Sequence, residues 1–389
     1  MVPVVADVAA RKVNVLLLTT GLGIGGAEIV VRDLARALDR TGFGVSICCL
    51  KVLGPIGREL QAEGIDISVL DANPDKSDYL SALKLRRLVR QKRVDVIHSH
   101  TTHSLTVAAL CRCLTPGLRV VHTFHFGNYP HKPTKVLWME HLFSRLVDRL
   151  VAVGEVQRGQ IRSTYRLSGS AIETVRNGVQ LPAPGAGDPT FRTRIGADGK
   201  VLVGTIATLI PQKGLQDLLA VARRVRDVRG DVHFVLIGEG DLRGDLERIR
   251  RERGLEETVT LTGWVANAAS VALPSFDVYF QPSLWEAMSI SILEAMAAGK
   301  PVVTTLVGEA PHLIDHGVDG FLFPPGDVGS MAATILDLAG DAGRRCALGD
   351  RASRKVAERF TVAHMARAHE QLYMGLAAAP PALVTDVAR

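Results

Sequence analysis

Apolar runs of strand length recur along the chain, separated by stretches with the three-to-four-residue spacing of helices. Residues 13–19 are almost continuously apolar, a glycine-rich loop follows from Gly21 to Gly26, and a helical pattern covers 29–38. A second apolar run spans 45–50. Strand, glycine loop, helix and strand in that order open a parallel α/β layer. The pattern then predicts a basic helix over 79–92, strands over 94–100, 119–124 and 149–153, and helices over 105–114 and 135–146. A break rich in turn residues, from Pro182 through Ala183-Pro-Gly-Ala-Gly187 to Pro189, interrupts the alternation. It resumes with strands over 201–207, 232–237, 259–261, 278–280 and 321–323, and helices over 215–228, 242–253 and 328–338. Residues 362–374 are helical in pattern, and the alanine- and proline-rich end beyond them reads as a frayed tail.

The expected organisation is a first Rossmann-like domain over 1–182, a linker over 183–198, and a second Rossmann-like domain over 199–360. A C-terminal helix over 361–376 and a tail over 377–389 complete it. Both domains are α/β and doubly wound, and they face a central cleft.

Composition narrows this picture without redirecting it. A chain of 389 residues, 47% apolar and 22% charged, is globular and long enough for two full cores. The net charge of +6 permits contact with phosphates, nucleotides or an anionic membrane surface and establishes none of them. Cys48, Cys49, Cys111, Cys113 and Cys346 form neither a paired framework nor a zinc spacing, which fits a reducing compartment. Residues 1–11 show no apolar core after a basic start, and no run approaches the roughly 18 apolar residues of a spanning helix. A cytoplasmic location is expected, with membrane contact from outside left open.

The candidate chemistry centres on Pro282 to Val303, which holds Glu286 and Glu294 between an apolar run and the stop signal at Gly299 and Pro301. If a helix begins near Glu286, the two carboxylates share one side, roughly 12 Å apart along the axis. The free N–H groups at its start then face the same way. Carboxylates for hydroxyls and a helix N-terminus for phosphate suit a polyhydroxylated, anionic ligand; a solvated glutamate on an ordinary helix is the plainer alternative.

Several ordered blocks decide between these. Gly23-Ile-Gly-Gly-Ala-Glu28, Asp95 to His100, Val121-His-Thr-Phe-His125 and Arg176-Asn-Gly-Val179 lie in the first half. Pro211-Gln-Lys-Gly-Leu215, Glu286 to Glu294, Pro301-Val-Val-Thr304 and Gly317 to Pro324 lie in the second. In this order, over roughly residues 13–375, they resemble a retaining glycosyltransferase of family 4 with the two-domain GT-B fold. The resemblance implies a C-terminal helix returning to the first domain. It implies a nucleotide diphosphate sugar as donor, a UDP-sugar favoured, and a hydroxyl of a glycan, lipid-linked or small-molecule acceptor. No cofactor or metal is expected. Glu294 would bind ribose hydroxyls, Glu286 a sugar hydroxyl, and Lys213 the diphosphate, with Thr208 beside it. Ala287, Met288, Ser289 and Ile290 would line the donor site, Gly25 and Gly26 would let backbone approach the ligand, and His125 would sit at the reaction centre. Glu286, Lys213 and His125 are the expected catalytic residues.

Two departures from the family's pattern stand out. Thr208 occupies the place of an arginine five positions before Lys213. In Gly308-Glu-Ala-Pro-His312, Glu309 replaces a second glycine and His312 the glutamate after proline. A catalytically impaired nucleotide-sugar binder is therefore one alternative reading. A dinucleotide-dependent oxidoreductase is another, although Gly23, Gly25 and Gly26 do not match the dinucleotide pattern. His98, His100 and His103 raise metal binding, but 98 and 100 share one strand face while 103 begins the next element. The basic run Lys84, Arg86, Arg87, Arg90, Lys92 and Arg93 is either a solvated helix face or an attraction to anionic lipid head groups. Nucleic-acid binding lacks its aromatic interleaving.

Overall fold

The computed structural model describes residues 11–71 and 80–378. The first sheet comprises β1 (Val13–Gly21), β2 (Phe43–Val52), β3 (Asp66–Val69), β4 (Val96–Ser99), β5 (Arg119–Phe124), β6 (Arg149–Ala152) and β7 (Ile172–Thr174). Their order is β3-β2-β1-β4-β5-β6-β7, and every pairing is parallel. β4 and β5 are buried at every position, as strands covered by helices on both faces must be. The second sheet comprises β8 (Val201–Ile206), β9 (Val232–Ile237), β10 (Val259–Gly263), β11 (Val278–Gln281), β12 (Val302–Thr305) and β13 (Gly320–Phe323). It is also parallel, ordered β10-β9-β8-β11-β12-β13.

In each sheet the strand order reverses once, between β1 and β4 and between β8 and β11. Loops leaving the carboxyl ends of those strands diverge and leave a crevice, where doubly wound sheets bind ligands. The chain crosses between domains twice, and the crossings are hydrogen-bonded side by side. Val179 N–H donates to Phe360 O (2.9 Å), and Val362 N–H donates to Val179 O (3.1 Å). After the second crossing the Val362–Ala378 helix returns to the first domain and packs on the Gly26–Ala37 helix, β1 and β4. Its fully buried Tyr373 meets Phe43 edge-on and bonds His98 Nδ1 at 2.6 Å.

Some elements differ from the pattern's expectation. The helix over the two glutamates starts at Ile290, with Ser289 as its cap, and not near Glu286. Glu286 lies in the loop that leaves β11, so the two carboxylates are not two turns of one helix. Ser289 offers its hydroxyl to the Ile292 N–H, a service Glu286 does not perform for any helical N–H. Within residues 183–198, Phe191–Arg194 is a short helix whose buried Phe191 packs on Phe276, and Arg192 pairs with Asp277 at 2.6 Å. That part of the stretch is therefore attached to the second domain. The basic helix runs Ser81–Gln91; Tyr79, at the start of the expected range, lies outside the described residues. The last helix continues to Ala378, so residues 377 and 378 are helical where a tail was expected.

Candidate active site

The second domain's crevice is built by two loops that tie each other down. After β8 the chain passes Thr208 and makes a tight turn over Pro211–Lys213. Gly214 then takes φ +59°, and a Cβ there would stand 2.0 Å from the Pro282 carbonyl. Only glycine tolerates both conditions. Leu284 N–H donates to Gln212 O (2.7 Å), closing the two loops on each other. Lys213 is thereby delivered to Glu286, Nζ to Oε1 at 2.5 Å, in a largely buried pair. The same carboxylate accepts from Ser283 Oγ (2.8 Å), Gln281 Nε2 (3.1 Å) and Gln212 Nε2 (3.2 Å). Four donors fix Glu286 in place, and the Lys213 ammonium still has donor capacity for an incoming anion. An incoming diphosphate would compete with Glu286 for Lys213.

One loop further on, the Ile290–Ala297 helix points its N-terminus toward the same crevice. Glu294 is partly buried and makes no side-chain hydrogen bond among the described residues. Burial pushes its carboxyl up to about 7; Arg32, on the first domain's Gly26–Ala37 helix, opposes the shift and Asp33 adds to it. Gly25 and Gly26 open that same helix, and a Cβ on Gly26 would sit 3.9 Å from Ile290 Cγ1. The glycine loop thus meets the glutamate-bearing helix, while Gly23 faces open space.

His125 follows β5, and His100 follows β4, the neighbouring strand. Their rings are stacked, with His125 Nε2 and His100 Nδ1 3.1 Å apart. Burial among other imidazoles drives His125 down to about 3, and burial drives His100 well below its ordinary value. Both rings are therefore neutral near pH 7, so His125 is a hydrogen-bonding group and not a cation. Two residues on, Gly127 approaches the second domain so closely that a Cβ would lie 2.0 Å from Ala287 N. Asn177 comes from the same domain and reaches Met288 with its backbone N–H to Sδ (3.3 Å) and its Nδ2 to the carbonyl (3.4 Å). Residues 286–288 are thus held by their own domain on one side and pressed by the other.

Not every candidate converges. Thr208 is exposed at the crevice, where it adds no charge. His98 spends both ring nitrogens inside the core, on Tyr373 and on Thr123, and His103 lies on the Thr102–Cys113 helix. Among the described residues no group of three or more acidic, histidine or cysteine side chains is arranged to hold a metal. Gln212, Gln281, Ser283 and Gly127 were given no role by the sequence, and His100 was weighed only as a metal ligand, although Gln281 and Ser283 flank a proline at the end of an apolar run, where such groups belong in this topology.

A family model described as Glycosyltransferase Family 4 matches residues 24–181, and one described as Glycosyl transferases group 1 matches 200–341. Among curated relatives, the chain is 25% identical over 334 residues to the UDP-Gal:alpha-D-GlcNAc-diphosphoundecaprenol alpha-1,3-galactosyltransferase of Escherichia coli, covering 82% of this chain and 86% of the relative. It is 26% identical to the alpha-D-kanosaminyltransferase of Streptomyces kanamyceticus over 74% of this chain and 79% of that one. Among solved structures, Anabaena HepE in complex with UDP and glucose superposes with a TM-score of 0.81 at 21% identity, over 94% of this chain and 100% of its own. Sucrose-phosphate synthase from Thermosynechococcus elongatus gives a TM-score of 0.77 at 20% identity, over 94% and 99%. These two solved structures share the architecture described above.

Proposed function

Because the chain belongs to the family 4 glycosyltransferases of GT-B fold, we propose that it is a retaining hexosyltransferase taking its sugar from a UDP-sugar. The acceptor is a hydroxyl of a glycan, a lipid-linked saccharide or a small molecule. The observation that carries this reading is the fixed Lys213–Glu286 pair at the crevice, with Glu294 on the helix just beyond. Glu294 receives the ribose hydroxyls, Glu286 a sugar hydroxyl, and Lys213 with the helix N–H groups the diphosphate. The acceptor oxygen bonds to the anomeric carbon on the face from which the diphosphate leaves, and a diphosphate oxygen takes the acceptor's proton. Lys213 stabilises the charge that builds on the leaving oxygen. Neutral His125 orients a sugar hydroxyl, and contact between Gly127 and residues 286–287 keeps water from competing as acceptor. No metal is required in this scheme. The relative's UDP-galactose donor supports the choice of UDP.

A thermal-shift panel of UDP-, GDP- and ADP-sugars tests the reading. UDP-sugars should raise the unfolding temperature, and a panel with no stabiliser would overturn it. Retention is read from the anomeric configuration of the product.

The empty charge at Thr208 favours one variant of this reading, a slow enzyme. Thr208→Arg should raise kcat by about tenfold, a fraction of what a well-placed cation can contribute. An unchanged kcat would mean that another group already completes the phosphate site. The outward face of the Ser81–Gln91 helix, with Leu83, Lys84, Arg87 and Arg90 exposed, supports contact with anionic lipid carrying the acceptor. Sedimentation with phosphatidylglycerol vesicles, lost in an Arg87→Glu/Arg90→Glu variant, is the expected result; equal pelleting of both proteins would refute the contact.

A further inference from the structure

Glu309 belongs to the second domain by sequence, in the loop after β12, yet its side chain is fully buried against the first. Oε1 accepts from Arg176 Nε at 3.0 Å, and Oε2 accepts from the backbone N–H of Val156 at 3.3 Å. Val156 is the second residue of the Glu155–Tyr165 helix, whose cap is Gly154. A glycine cap has no side chain to satisfy the free N–H groups of the first turn. A Cβ at Gly154 would stand 2.4 Å from Glu309 Oε2, so the missing side chain leaves the space that the foreign carboxylate fills. The carboxylate also meets the positive end of the helix dipole.

The backbone of the same residue is anchored on the donor side. Glu309 N–H donates to Ala287 O at 2.9 Å. Gly308, at φ +53°, lies so close that a Cβ would be 2.3 Å from Glu286 O. Glu309 therefore grips the first domain with its side chain and Ala287 with its main chain, while Gly308 before it abuts Glu286. We infer that Glu309 is a positioning residue, an interdomain cap that latches the closed arrangement and sets Glu286 against the His125–Gly127 loop. Opening the domains exposes Glu309, Arg176 and the Val156 N–H to water together, so the latch is reversible. His312, at 3.6 Å from Oε2, stands beside it at the mouth of a cavity of about 490 Å³ that also borders Arg359, Thr361 and His364 at the crossings.

The kinetic consequence rests on the transferase reading; the latch itself does not. Small-angle scattering of the full chain with and without UDP therefore accompanies kinetics for Glu309→Gln, Glu309→Ala and Arg176→Ala. The wild-type radius of gyration with UDP should be smaller than that of all three variants. In the variants kcat should fall about ten- to a hundredfold, the scale of a misplaced reacting group. UDP affinity should stay within about threefold, since the substituted side chains touch neither Glu294 nor Lys213, and the main-chain bond from Glu309 to Ala287 is kept. Scattering curves that coincide across all four proteins would overturn the latch, as would unchanged kcat in folded variants. If Glu309→Ala fails to fold, Glu309→Gln and Arg176→Ala decide, because both keep the buried volume nearly filled or change a partly exposed side chain. If no sugar donor is turned over even by the wild type, scattering alone still separates a failed latch from a failed transferase assignment.

Discussion

Lys213→Ala is expected to lower kcat by about two to three orders of magnitude, equivalent to ~3–4 kcal/mol of transition-state stabilisation. The ammonium sits where the leaving diphosphate gathers charge, and the Gly214 turn and the bond from Leu284 to Gln212 keep it there before substrate arrives. Preorganisation of this kind is what makes a single cation so consequential. An arginine in the place of Thr208 would have supplied a second cation; without it, more of the load falls on Lys213. The variant has a structural cost as well. Glu286 would lose its one cationic partner among the described residues while remaining buried, although Ser283, Gln281 and Gln212 still donate to it. Lys213→Arg restores the charge with a different reach and should recover part of the rate. Steady-state kinetics, run below the unfolding temperature of each variant, check this. A Lys213→Ala enzyme within threefold of wild-type kcat would remove Lys213 from the mechanism.

Glu294→Ala should weaken UDP binding by about ten- to a hundredfold, the loss of one or two hydrogen bonds to a charged acceptor. Glu286→Gln should leave the affinity for UDP alone unchanged and reduce kcat with the sugar donor. Isothermal titration with UDP separates them, and equal losses of UDP affinity would refute the division of labour. Glu294 also predicts a pH dependence with a definite sign. Its carboxyl is raised from an ordinary 4.5 to about 7 by burial, so the unliganded protein at neutral pH holds it about half protonated. Ribose hydroxyls donate best to the ionised form. UDP affinity should therefore rise with pH through the range around 7, by up to tenfold per pH unit below it, with release of a proton. Fold stability runs the other way. Because the folded protein binds the proton more tightly than the unfolded chain, the stability associated with Glu294 declines as pH rises from about 4.5 to about 7. Glu294→Gln should flatten both profiles, and a UDP affinity independent of pH in the wild type would contradict the assignment.

The strands that the sequence shows plainly are those buried on both faces, such as β5 and β9, because continuous burial demands continuous apolar residues. β3 is harder to see: it is an edge strand with no position fully buried, so little apolar patterning survives in it. The Ala342–Arg359 helix also escapes notice, since only Leu348, Gly349, Ala352 and Val356 of its 18 residues are buried and arginine dominates the rest. Glu286 and Lys213 are legible because each lies in a loop leaving a strand, and Glu294 because it stands eight positions after Glu286 in blocks that come in a fixed order. The start of the second glutamate's helix is not. The expected start lay near Glu286, whereas the Ser289 hydroxyl, three residues further on, takes the capping position. Glu309 was visible only as an unusual residue in a familiar loop. Its partners, Val156 and Arg176, lie 153 and 133 residues earlier, a distance over which spacing carries no information.

The two hydrogen-bonded crossings bear on how the chain is made. The first domain contains both ends of the described chain: β1 at the beginning, and at the end the Val362–Ala378 helix, whose Tyr373 and His369 complete the packing around His98. During synthesis the ribosome releases seven strands of this domain long before the helix that finishes it. The whole second domain emerges in between and has its own core to fold. Until then Phe43 and His98 lack the aromatic that covers them. A nascent chain stalled before residue 362 thus carries a finished second domain beside an unfinished first one, with apolar surface that a chaperone or protease would recognise. The last helix makes completion of the first domain wait for synthesis of the whole second domain.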